Sequence, residues 1–351
     1  MKLLIMGAGA IGGFVGGALA ANGHEVTLVG RPALMEKIAQ TGLTLRRPNL
    51  AAQTVFPATT TVVPADADYD FTLLSVKAPD TPQAIKDLSG LAPKTYIVSL
   101  QNGIGNEEQL AAAFGPERVI AGTITIPIQA PEPGVIEVSK PKGGLGLAAL
   151  HPAPPVQALA DALTAAGLPT LVYDDYRAMK WSKLLLNIVT NASSAILDLP
   201  PATIIAQPAL FDLEIRALQE GVAVMRAQGI RAVKLPGYPV DWLARILSAR
   251  WLPQAVTRAL LRPSMASGRG TKMPSLHIDL AAGRATSEIG VLNGAIVEAG
   301  QKVGVATPVN RALTEILSGL VSGRLEWADY QGQPTKLIEA ATSEDNKIYR
   351  R

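Results

Sequence analysis

Short apolar runs alternate with helical patterns over the first half of the chain. The runs that predict strands are Lys2–Met6, Glu25–Val29, Phe71–Val76, Tyr96–Leu100 and Val119–Ile124. Gly12–Asn22 predicts a helix of small residues. Continuous apolar strands separated by helices are typical of a parallel sheet with both faces covered. Residues 1–174 are therefore expected to form an α/β domain with a doubly wound sheet.

A β-hairpin is predicted near the end of this domain. Ile136–Val138 and Leu145–Leu147 are short apolar runs, and the intervening "KPKGG" is typical of a turn.

Helical periodicity replaces this alternation after about Asp174, and no strand is predicted beyond that residue. The segments that carry it are Ala178–Ile196, Ala209–Gln228, Ser287–Gly300 and Pro308–Ser318. Thr307-Pro308 predicts an N-cap followed by a proline at the first helical position. Residues 175–330 are thus expected to form an all-helical domain, with a homodimer through this domain as one option. Residues 331–351 are polar and predict a loosely held tail.

One segment of the helical half is strongly basic. Between Arg231 and Lys272 there are eight basic residues and one acid. Val240–Leu247 and Pro253–Leu261 are two short amphipathic patterns, and "SMASGRGTKMPS" is expected to be a flexible loop. Residues 231–269, the basic segment, are interpreted as a surface helical hairpin, a subunit contact or a lid over an anionic ligand. Binding to a membrane surface is a further option.

Composition narrows the class of protein. A chain of 351 residues, 48% hydrophobic and 17% charged, is typical of a globular protein with two domains. The net charge of +3 is too small to indicate a nucleic-acid partner. The absence of cysteine excludes disulfides, cysteine-metal sites and thiol catalysis, and no metal site is expected.

The N-terminal stretch that ends at Ala20 shares a lysine and an apolar run with signal peptides. Six glycines between Gly7 and Gly17 disfavour that interpretation, because a signal peptide needs a helical apolar core. No apolar run reaches the ~18 residues of a membrane span. We therefore expect a cytoplasmic protein that does not bind a membrane.

A glycine loop follows the first strand and opens the first helix. Residues 7–12, "GAGAIG", fit G-x-G-x-x-G in the strand–loop–helix setting that this dinucleotide-binding motif requires. Gly7 permits a tight turn, Gly9 lets the backbone approach a pyrophosphate, and Gly12 lets the helix pack on the sheet. We expect Gly7, Gly9, Ala10, Ile11 and Gly12 to bind the cofactor at the N-terminus of this helix, in a Rossmann-type domain.

Arg31 stands just after the second strand, at the place where a dinucleotide-binding fold usually has a ribose-binding acid. An acid would pair with a 2′-hydroxyl and repel a 2′-phosphate, whereas arginine offers planar donors to phosphate oxygens. Arg31 therefore indicates NADPH as the cofactor. A solvent-facing arginine that binds nothing is the alternative.

A polar stripe runs along the apolar segment "MKWSKLLLNIVTNASSAI". Lys183, Asn187 and Asn191 are spaced four residues apart and fall within about 80° of one helix face. Because unpaired polar groups are costly to bury, this face is expected to line a polar cleft. A buried lysine is also a candidate general acid, since desolvation lowers the pKa of its ammonium. The alternative is the solvated face of an amphipathic helix.

Two more polar residues follow predicted strands. Lys77 comes after "LLSV", and Asn102 comes after "IVSLQ". Ligands of open α/β sheets bind beyond the carboxyl ends of the strands, so both residues are expected to reach the cofactor. A surface lysine and a turn-forming Asn-Gly are the alternatives.

With these residues the chain resembles the ketopantoate reductase family (2-dehydropantoate 2-reductase) over about Met1–Leu317. The matching stretches are the glycine loop, Arg31, "SVKAP", "QNGIGNEE", "WSKLLLNIVTNASSAI", "KMPSLHIDL" and "SEIGVLNG". The resemblance implies a Rossmann domain, a helical domain and an active site between them, where NADPH reduces the 2-keto carbon of ketopantoate.

The resemblance also implies a role for each matching residue. Lys183 would protonate or polarise the developing alkoxide. Glu288 would hold the substrate hydroxyl and contact the cofactor, while Ser275 would hold the carboxylate. Asn187 and Asn191 would line the pocket, and Asn102 would contact both substrate and cofactor. Lys77 would bind the ribose side of the cofactor, and Arg31 would bind its 2′-phosphate.

Three functions therefore stay open. The expected one is NADPH-dependent reduction of ketopantoate to pantoate, with Lys183 as the general acid. The second is reduction or oxidation of another branched or aryl 2-keto or 2-hydroxy acid. Residues 231–269 form a basic insert that is longer than expected of compact family members, and this basic insert precedes Ser275. The third is a non-catalytic NADPH-binding regulator.

Overall fold

The structure is a computed structural model that describes residues 1–65, 67–249, 251–269 and 271–342. The chain forms two compact units. The first comprises Met1–Lys180 together with the short segment Leu235–Tyr238. The second comprises Trp181–Lys234 and the chain from Pro239 onward.

The first unit is an α/β domain, as predicted. Its strands are β1 (Lys2–Met6), β2 (Glu25–Val29), β3 (Leu43–Arg46), β4 (Gln53–Val55), β5 (Ala58–Thr60), β6 (Phe71–Leu74), β7 (Tyr96–Ser99), β8 (Val119–Ile124), β9 (Ile128–Glu132), β10 (Val135–Val138), β11 (Leu145–Ala149) and β12 (Thr170–Val172). Its helices are α1 (Ala10–Ala21), α2 (Pro32–Thr41), α3 (Thr81–Leu88), α4 (Asn106–Phe114) and α5 (Val156–Ala165), with 3-10 turns at Ala78–Asp80 and Pro116–Arg118.

The larger sheet has eight strands in the order β12-β11-β8-β7-β6-β1-β2-β5. The five central strands β8, β7, β6, β1 and β2 are mutually parallel, and β11 joins β8 in antiparallel pairing. Leu3, Leu4 and Ile5 of β1 are fully buried, because helices cover both faces of a parallel sheet. The strands predicted from continuous apolar runs are thus confirmed, with small differences at their ends.

The predicted hairpin is wrong, although both of its strands exist. β10 belongs to a smaller sheet of order β4-β3-β10-β9, in which it pairs with β3 and β9. β11 belongs to the larger sheet and pairs with β8 and β12. The "KPKGG" stretch therefore connects two sheets rather than two neighbouring strands.

Helix α1 packs closely against both sheets through its glycines. A Cβ on Gly16 would lie 2.8 Å from the side chain of Leu28 on β2. One on Gly17 would lie 3.0 Å from the side chains of Leu43 and Leu45 on β3. Because neither position has room for a larger residue, the helix lies closer to the strands than ordinary side chains permit.

The second unit is helical, which confirms that prediction for the described residues, since none beyond β12 lies in a named strand. Helix α6 (Tyr176–Ile188) begins in the first unit and continues into the second. The helices that follow are α7 (Asn191–Leu197), α8 (Pro201–Ala206), α9 (Pro208–Ala227), α10 (Val240–Ser248), α11 (Gln254–Arg269), α12 (Ser275–Ala281), α13 (Asn293–Val303), α14 (Pro308–Val321) and α15 (Pro334–Thr342), with 3-10 turns at Glu288–Val291 and Trp327–Asp329. Among the described residues, no helix combines the length and apolar character needed to cross a membrane.

Two expectations for this half are wrong. The tail is not loosely held over residues 334–342, because helix α15 buries Leu337 and Ala341 against α14 and α9. Residues 343–351 lie outside the described part of the chain. The loop expected after the second amphipathic pattern of the insert is helical up to Arg269, where α11 ends.

Part of the basic insert is tied to the helices beside it. The Arg258 guanidinium lies 2.8 Å from the Asp212 carboxylate on α9. Arg262 donates to the carbonyl oxygens of Ile205 and Ala206 at the end of α8. These two arginines are therefore structural, while Arg250 and the side chain of Arg269 lie outside the described residues.

The segment Leu235–Tyr238 forms a tight turn that packs on the first unit. Leu235 and Tyr238 exchange both backbone hydrogen bonds around Pro236-Gly237. Gly237 has a φ of 79°, which a glycine tolerates best. The buried Thr125 hydroxyl, just after β8, donates to Pro236 O at 2.8 Å.

Glu220 of α9 caps the start of helix α14. Its carboxylate accepts the backbone N–H groups of Val309 (2.9 Å) and Asn310 (3.0 Å) and the Nδ2 of Asn310 (2.7 Å). The predicted Thr307-Pro308 start is confirmed, but the Thr307 side chain makes no capping bond. Burial raises the pKa of Glu220 to about 7, against the lowering effect of these hydrogen bonds and of Arg216.

The pH dependence of stability should reflect this carboxyl group. Its unfolded pKa is near 4.5, so between pH 4.5 and 7 the folded protein holds a proton that the unfolded chain has lost. The stabilising contribution is complete below pH 4.5 and is lost as the pH rises to 7. The Glu220→Gln variant, which cannot titrate, should gain about 2–3 kcal/mol relative to wild type between pH 5 and pH 8. Urea unfolding at both pH values measures this difference, and a pH-independent difference would contradict it.

Candidate functional site

The glycine loop turns back between β1 and α1. Gly7 has a φ of 99°, and its N–H donates to Val29 O at the end of β2 (3.0 Å). A Cβ on Gly12 would lie 2.2 Å from Gly7 O and 2.3 Å from Ser75 Oγ. Gly7 therefore serves the turn and Gly12 the close packing.

The loop leaves room for an anion at the start of α1. Gly9 is exposed, and nothing lies within 4 Å of the place where its Cβ would be. The first N–H groups of the helix, at Ala10, Ile11 and Gly12, have no acceptor within the helix. An open surface beside such donors and the positive end of the helix dipole fits the pyrophosphate of a dinucleotide.

Arg31 lies at the same edge of the sheet. It follows β2, whose last residue Val29 is paired with Met6 of β1, and it is the N-cap residue of α2. The side chain is exposed, and it pairs with no acid in the part of the chain that the structure describes. Its guanidinium is thus available to a ligand at this edge.

Lys77 and Asn102 also lie at the carboxyl ends of strands. They follow β6 and β7, which continue the sheet from β1 in the order β7-β6-β1. The loop after β6 touches the glycine loop directly, since Ser75 Oγ donates to Gly7 O at 2.7 Å. The structure therefore brings the cofactor residues predicted for the first unit to one edge of the sheet.

A buried polar network holds the loops after β6 and β7 in place. Gln101 Nε2 donates to Val76 O (3.1 Å) and Thr81 Oγ1 (2.8 Å), which joins the two loops. Thr81 in turn donates to Asn106 Oδ1, and Asn106 Nδ2 donates to Asn102 O (2.9 Å). Three of these residues sit within or beside the "QNGIGNEE" motif, but a sequence pattern does not reveal such cross-loop bonds.

Helix α6 carries two lysines with different surroundings. Lys183 and Asn187 are partly buried, so this face is neither fully solvated nor fully buried. Lys180, one turn earlier, is almost completely buried and lies 2.8 Å from the Glu107 carboxylate. The sequence pattern favoured Lys183 as the buried lysine and missed Lys180.

The polar stripe is bent after Asn187, because the predicted helix over Ala178–Ile196 is two helices. Thr190 separates them and has a φ of 54°, a strained conformation for a β-branched residue. The buried Glu214 carboxylate stabilises this bend by accepting Thr190 N–H (2.7 Å) and the Ser193 hydroxyl. Asn191 thus lies at the start of α7 rather than on the same helix as Lys183 and Asn187.

Asn191 and Ser275 are brought together by the packing of α7 on α12. The buried Asn191 Oδ1 accepts the N–H of Leu276 at the start of α12 (3.2 Å). Ser275 precedes Leu276 and is exposed. Asn191 therefore fixes the end of the helix on which Ser275 lies.

Glu288 is the first residue of a 3-10 turn and is buried. Ser287 caps this turn by accepting Ile289 N–H (3.2 Å). The turn leads into α13, where the fully buried Asn293 donates to Asn310 Oδ1 of α14 (2.9 Å). Glu288 is thus held by elements other than those that hold Asn191 and Ser275.

Comparison with known families identifies the family to which the chain belongs. The family model for Ketopantoate reductase PanE/ApbA matches residues 3–151. The model for Ketopantoate reductase PanE/ApbA C terminal matches residues 175–321. The chain belongs to the ketopantoate reductase family. The resemblance inferred from the sequence is confirmed, and this member is an oxidoreductase of the 2-dehydropantoate 2-reductase type, a family that uses a nicotinamide cofactor.

Individual relatives match this family member over most of its length. It is 32% identical over 314 residues to the 2-dehydropantoate 2-reductase of Pyrococcus horikoshii, covering 88% of this chain and 94% of the relative. The solved ketopantoate reductase of Ralstonia eutropha is 29% identical with a TM-score of 0.76, over 92% and 99% of the two chains. A D-mandelate dehydrogenase solved with NADH and anilino(oxo)acetate has the same fold, with a TM-score of 0.77 at 24% identity over 92% and 99%.

Two glycine variants should separate cofactor binding from packing. Gly12→Ala places a methyl group against Gly7 O and Ser75 Oγ, so it should lower the melting temperature and weaken cofactor binding together. Gly9→Ala meets no protein atom, so it should fold normally but weaken binding of the nicotinamide cofactor by roughly tenfold or more, because it fills space expected to hold the cofactor phosphates. Thermal melts and fluorescence titration with the reduced nicotinamide cofactor measure both effects. Unchanged cofactor binding in Gly9→Ala would contradict the expected role of Gly9.

Proposed function

We propose that this protein reduces 2-dehydropantoate to pantoate with NADPH. The observation that carries the proposal is the partly buried face of α6 with Lys183 and Asn187, followed by Asn191 and Ser275 at the adjoining ends of α7 and α12. These residues lie in the second unit of a chain whose relatives at about 30% identity are named 2-dehydropantoate 2-reductases.

Bound NADPH supplies the hydride that adds to the C2 carbonyl carbon. The carbonyl oxygen then needs a proton, and Lys183 is the donor in this proposal. Asn187 shares its helix and offers an amide to hold the same substrate, while the exposed Ser275 hydroxyl offers a donor to the carboxylate. Glu288 would accept the substrate hydroxyl, because an ionised carboxylate is an acceptor with room for several hydrogen bonds.

The cofactor residues follow from the edge of the sheet in the first unit. The α1 N-terminus with Gly7, Gly9 and Gly12 would hold the pyrophosphate, and Lys77 and Asn102 would hold the ribose side. Arg31 would hold the 2′-phosphate, because its exposed guanidinium has no acid beside it among the described residues. A cytoplasmic location and a homodimer through the second unit stay predictions.

A second candidate is reduction of another branched or aryl 2-keto acid. It is favoured by the position of α11 in the chain. This helix of the basic insert ends at Arg269, shortly before Ser275, the residue proposed to hold the substrate carboxylate. A non-catalytic NADPH-binding regulator disagrees with the enzymes to which the chain is related.

Turnover assays should distinguish these functions and test Lys183. NADPH oxidation with ketopantoate should exceed that with ketoisovalerate and benzoylformate. Lys183→Ala should lower kcat by roughly 10²- to 10⁴-fold, the usual contribution of a general acid, with NADPH binding unchanged. Lys302→Ala, at an exposed lysine of α13 paired with Glu298, is the control and should be normal.

Each alternative has its own outcome. Preferred turnover of benzoylformate or ketoisovalerate would support the second candidate. NADPH binding without turnover of any 2-keto acid would contradict both candidate functions. Near-normal kcat in Lys183→Ala would refute the proposed proton donor.

Arg31→Ala should change cofactor preference. The loss of charge-assisted hydrogen bonds, worth roughly 1.5–3 kcal/mol, should raise the KM for NADPH by about 10- to 100-fold. The KM for NADH should change little, so the ratio of the KM for NADH to the KM for NADPH should fall. Arg46→Ala on β3, also an exposed arginine of the first unit, is the matched control. An unchanged ratio of the two KM values would show that Arg31 does not bind the 2′-phosphate.

A further inference from the structure

The first unit contains a buried ion pair that the proposed chemistry does not use. Lys180 of α6 and Glu107 of α4 lie 2.8 Å apart, and their side chains are only 4% and 2% exposed. Burying two charges is expensive, and an apolar pair of similar size is often as stable or more so. Stability alone therefore does not explain why charged residues occupy these positions.

The Lys180 ammonium is committed to oxygen atoms of the protein itself. Nζ donates to Gln101 O (2.6 Å) and contacts Gly122 O (3.4 Å). Glu107 Oε1 lies 2.8 Å from Nζ as an ion pair, without the geometry of a hydrogen bond. Because its ammonium is buried against these protein oxygens, Lys180 is not placed to protonate a substrate, although it is the more buried lysine of α6.

One carbonyl group, that of Gln101, lies just after β7, and the other, that of Gly122, lies in the neighbouring strand β8, beyond the point where the two strands pair. The ladder between β7 and β8 ends with Ser99 opposite Ala121. Beyond it, Gly122 pairs with Leu147 of β11, while the chain after β7 turns toward Asn102. Lys180 joins the two strands where backbone hydrogen bonds no longer do so.

The contact with Gln101 O acts on the peptide group that precedes Asn102. The carbonyl group of Asn102 itself accepts Asn106 Nδ2 at 2.9 Å. Gly103, with a φ of 87°, then turns the chain away. Since both peptide groups that flank Asn102 are held, the direction of its Cα–Cβ bond is fixed by the backbone.

We propose that Lys180 and Glu107 are positioning residues that fix the Asn102 peptide and thereby set the place of its side chain toward the cofactor. Glu107 supplies the negative charge that keeps the ammonium in place, and Lys180 holds Gln101 O. The inference rests on the proposed function for the role of Asn102, but not on the identity of the keto acid.

The test removes both charges together. Lys180→Met alone leaves Glu107 buried without a partner, so it should lower the melting temperature strongly. The double variant Lys180→Met/Glu107→Gln should recover most of that loss. It should nevertheless raise the Kd and KM of NADPH by roughly 10-fold or more, with a smaller change in kcat, because small misplacements of a binding group are costly.

A cycle with Asn102→Ala shows whether the effect passes through Asn102. If it does, Asn102→Ala should cost much less in the double variant than in wild type, because coupled residues are not additive. Glu107→Gln alone keeps an oxygen near Nζ. If the double variant does not fold, Glu107→Gln takes its place in the cycle with Asn102→Ala. Lys94→Met/Asp68→Asn removes an exposed pair at the amino end of β7 and should leave all constants unchanged.

The outcomes separate this inference from the function itself. Wild-type constants in the double variant, or a full Asn102→Ala effect within it, would overturn the positioning role. If wild type binds NADPH but turns over no keto acid, the proposed function fails. The NADPH Kd of each variant would then still decide the positioning role.

Discussion

The close approach of helix α1 to two sheets is the constraint on which the nucleotide-binding edge depends. Gly12 and Gly16 allow contact with the larger sheet, and Gly17 allows contact with β3 of the smaller one. Because interiors pack at nearly crystalline density, a methyl group at Gly12 would press on the backbone of the glycine loop, and one at Gly16 or Gly17 would press on leucine side chains of the strands. The position of the helix N-terminus, and so of its N–H groups, follows from the absence of side chains at these three glycines.

Much of this arrangement could be predicted because it is encoded in short, continuous stretches. The buried strands are runs of apolar residues, and the glycine loop follows one strand and directly precedes a helix. The polar stripe of Lys183 and Asn187 was visible as a period. In each case the signal comes from neighbours in sequence, which is what periodicity and turn chemistry report.

Features that depend on distant partners were missed. The smaller sheet pairs β10 with β3, which lies far earlier in the chain, so the turn-like stretch after β10 suggested a false hairpin. The bend at Thr190 depends on Glu214 of another helix, and the burial of Lys180 depends on Glu107. Helix α15 is polar over much of its length and is held by Leu337. None of these contacts produces a periodic pattern in the sequence.

The turn at Leu235–Tyr238 has a consequence for the order in which the chain is made. During synthesis the segment Met1–Lys180 leaves the ribosome well before this turn does, and domains tend to fold as they emerge. Until then the Thr125 hydroxyl lacks Pro236 O as its acceptor, and the backbone near Gly144 lacks its cover. The first unit is therefore completed by Leu235–Tyr238, a segment that is synthesised long after Lys180. The contacts of this segment with the rest of the unit thus form late in translation.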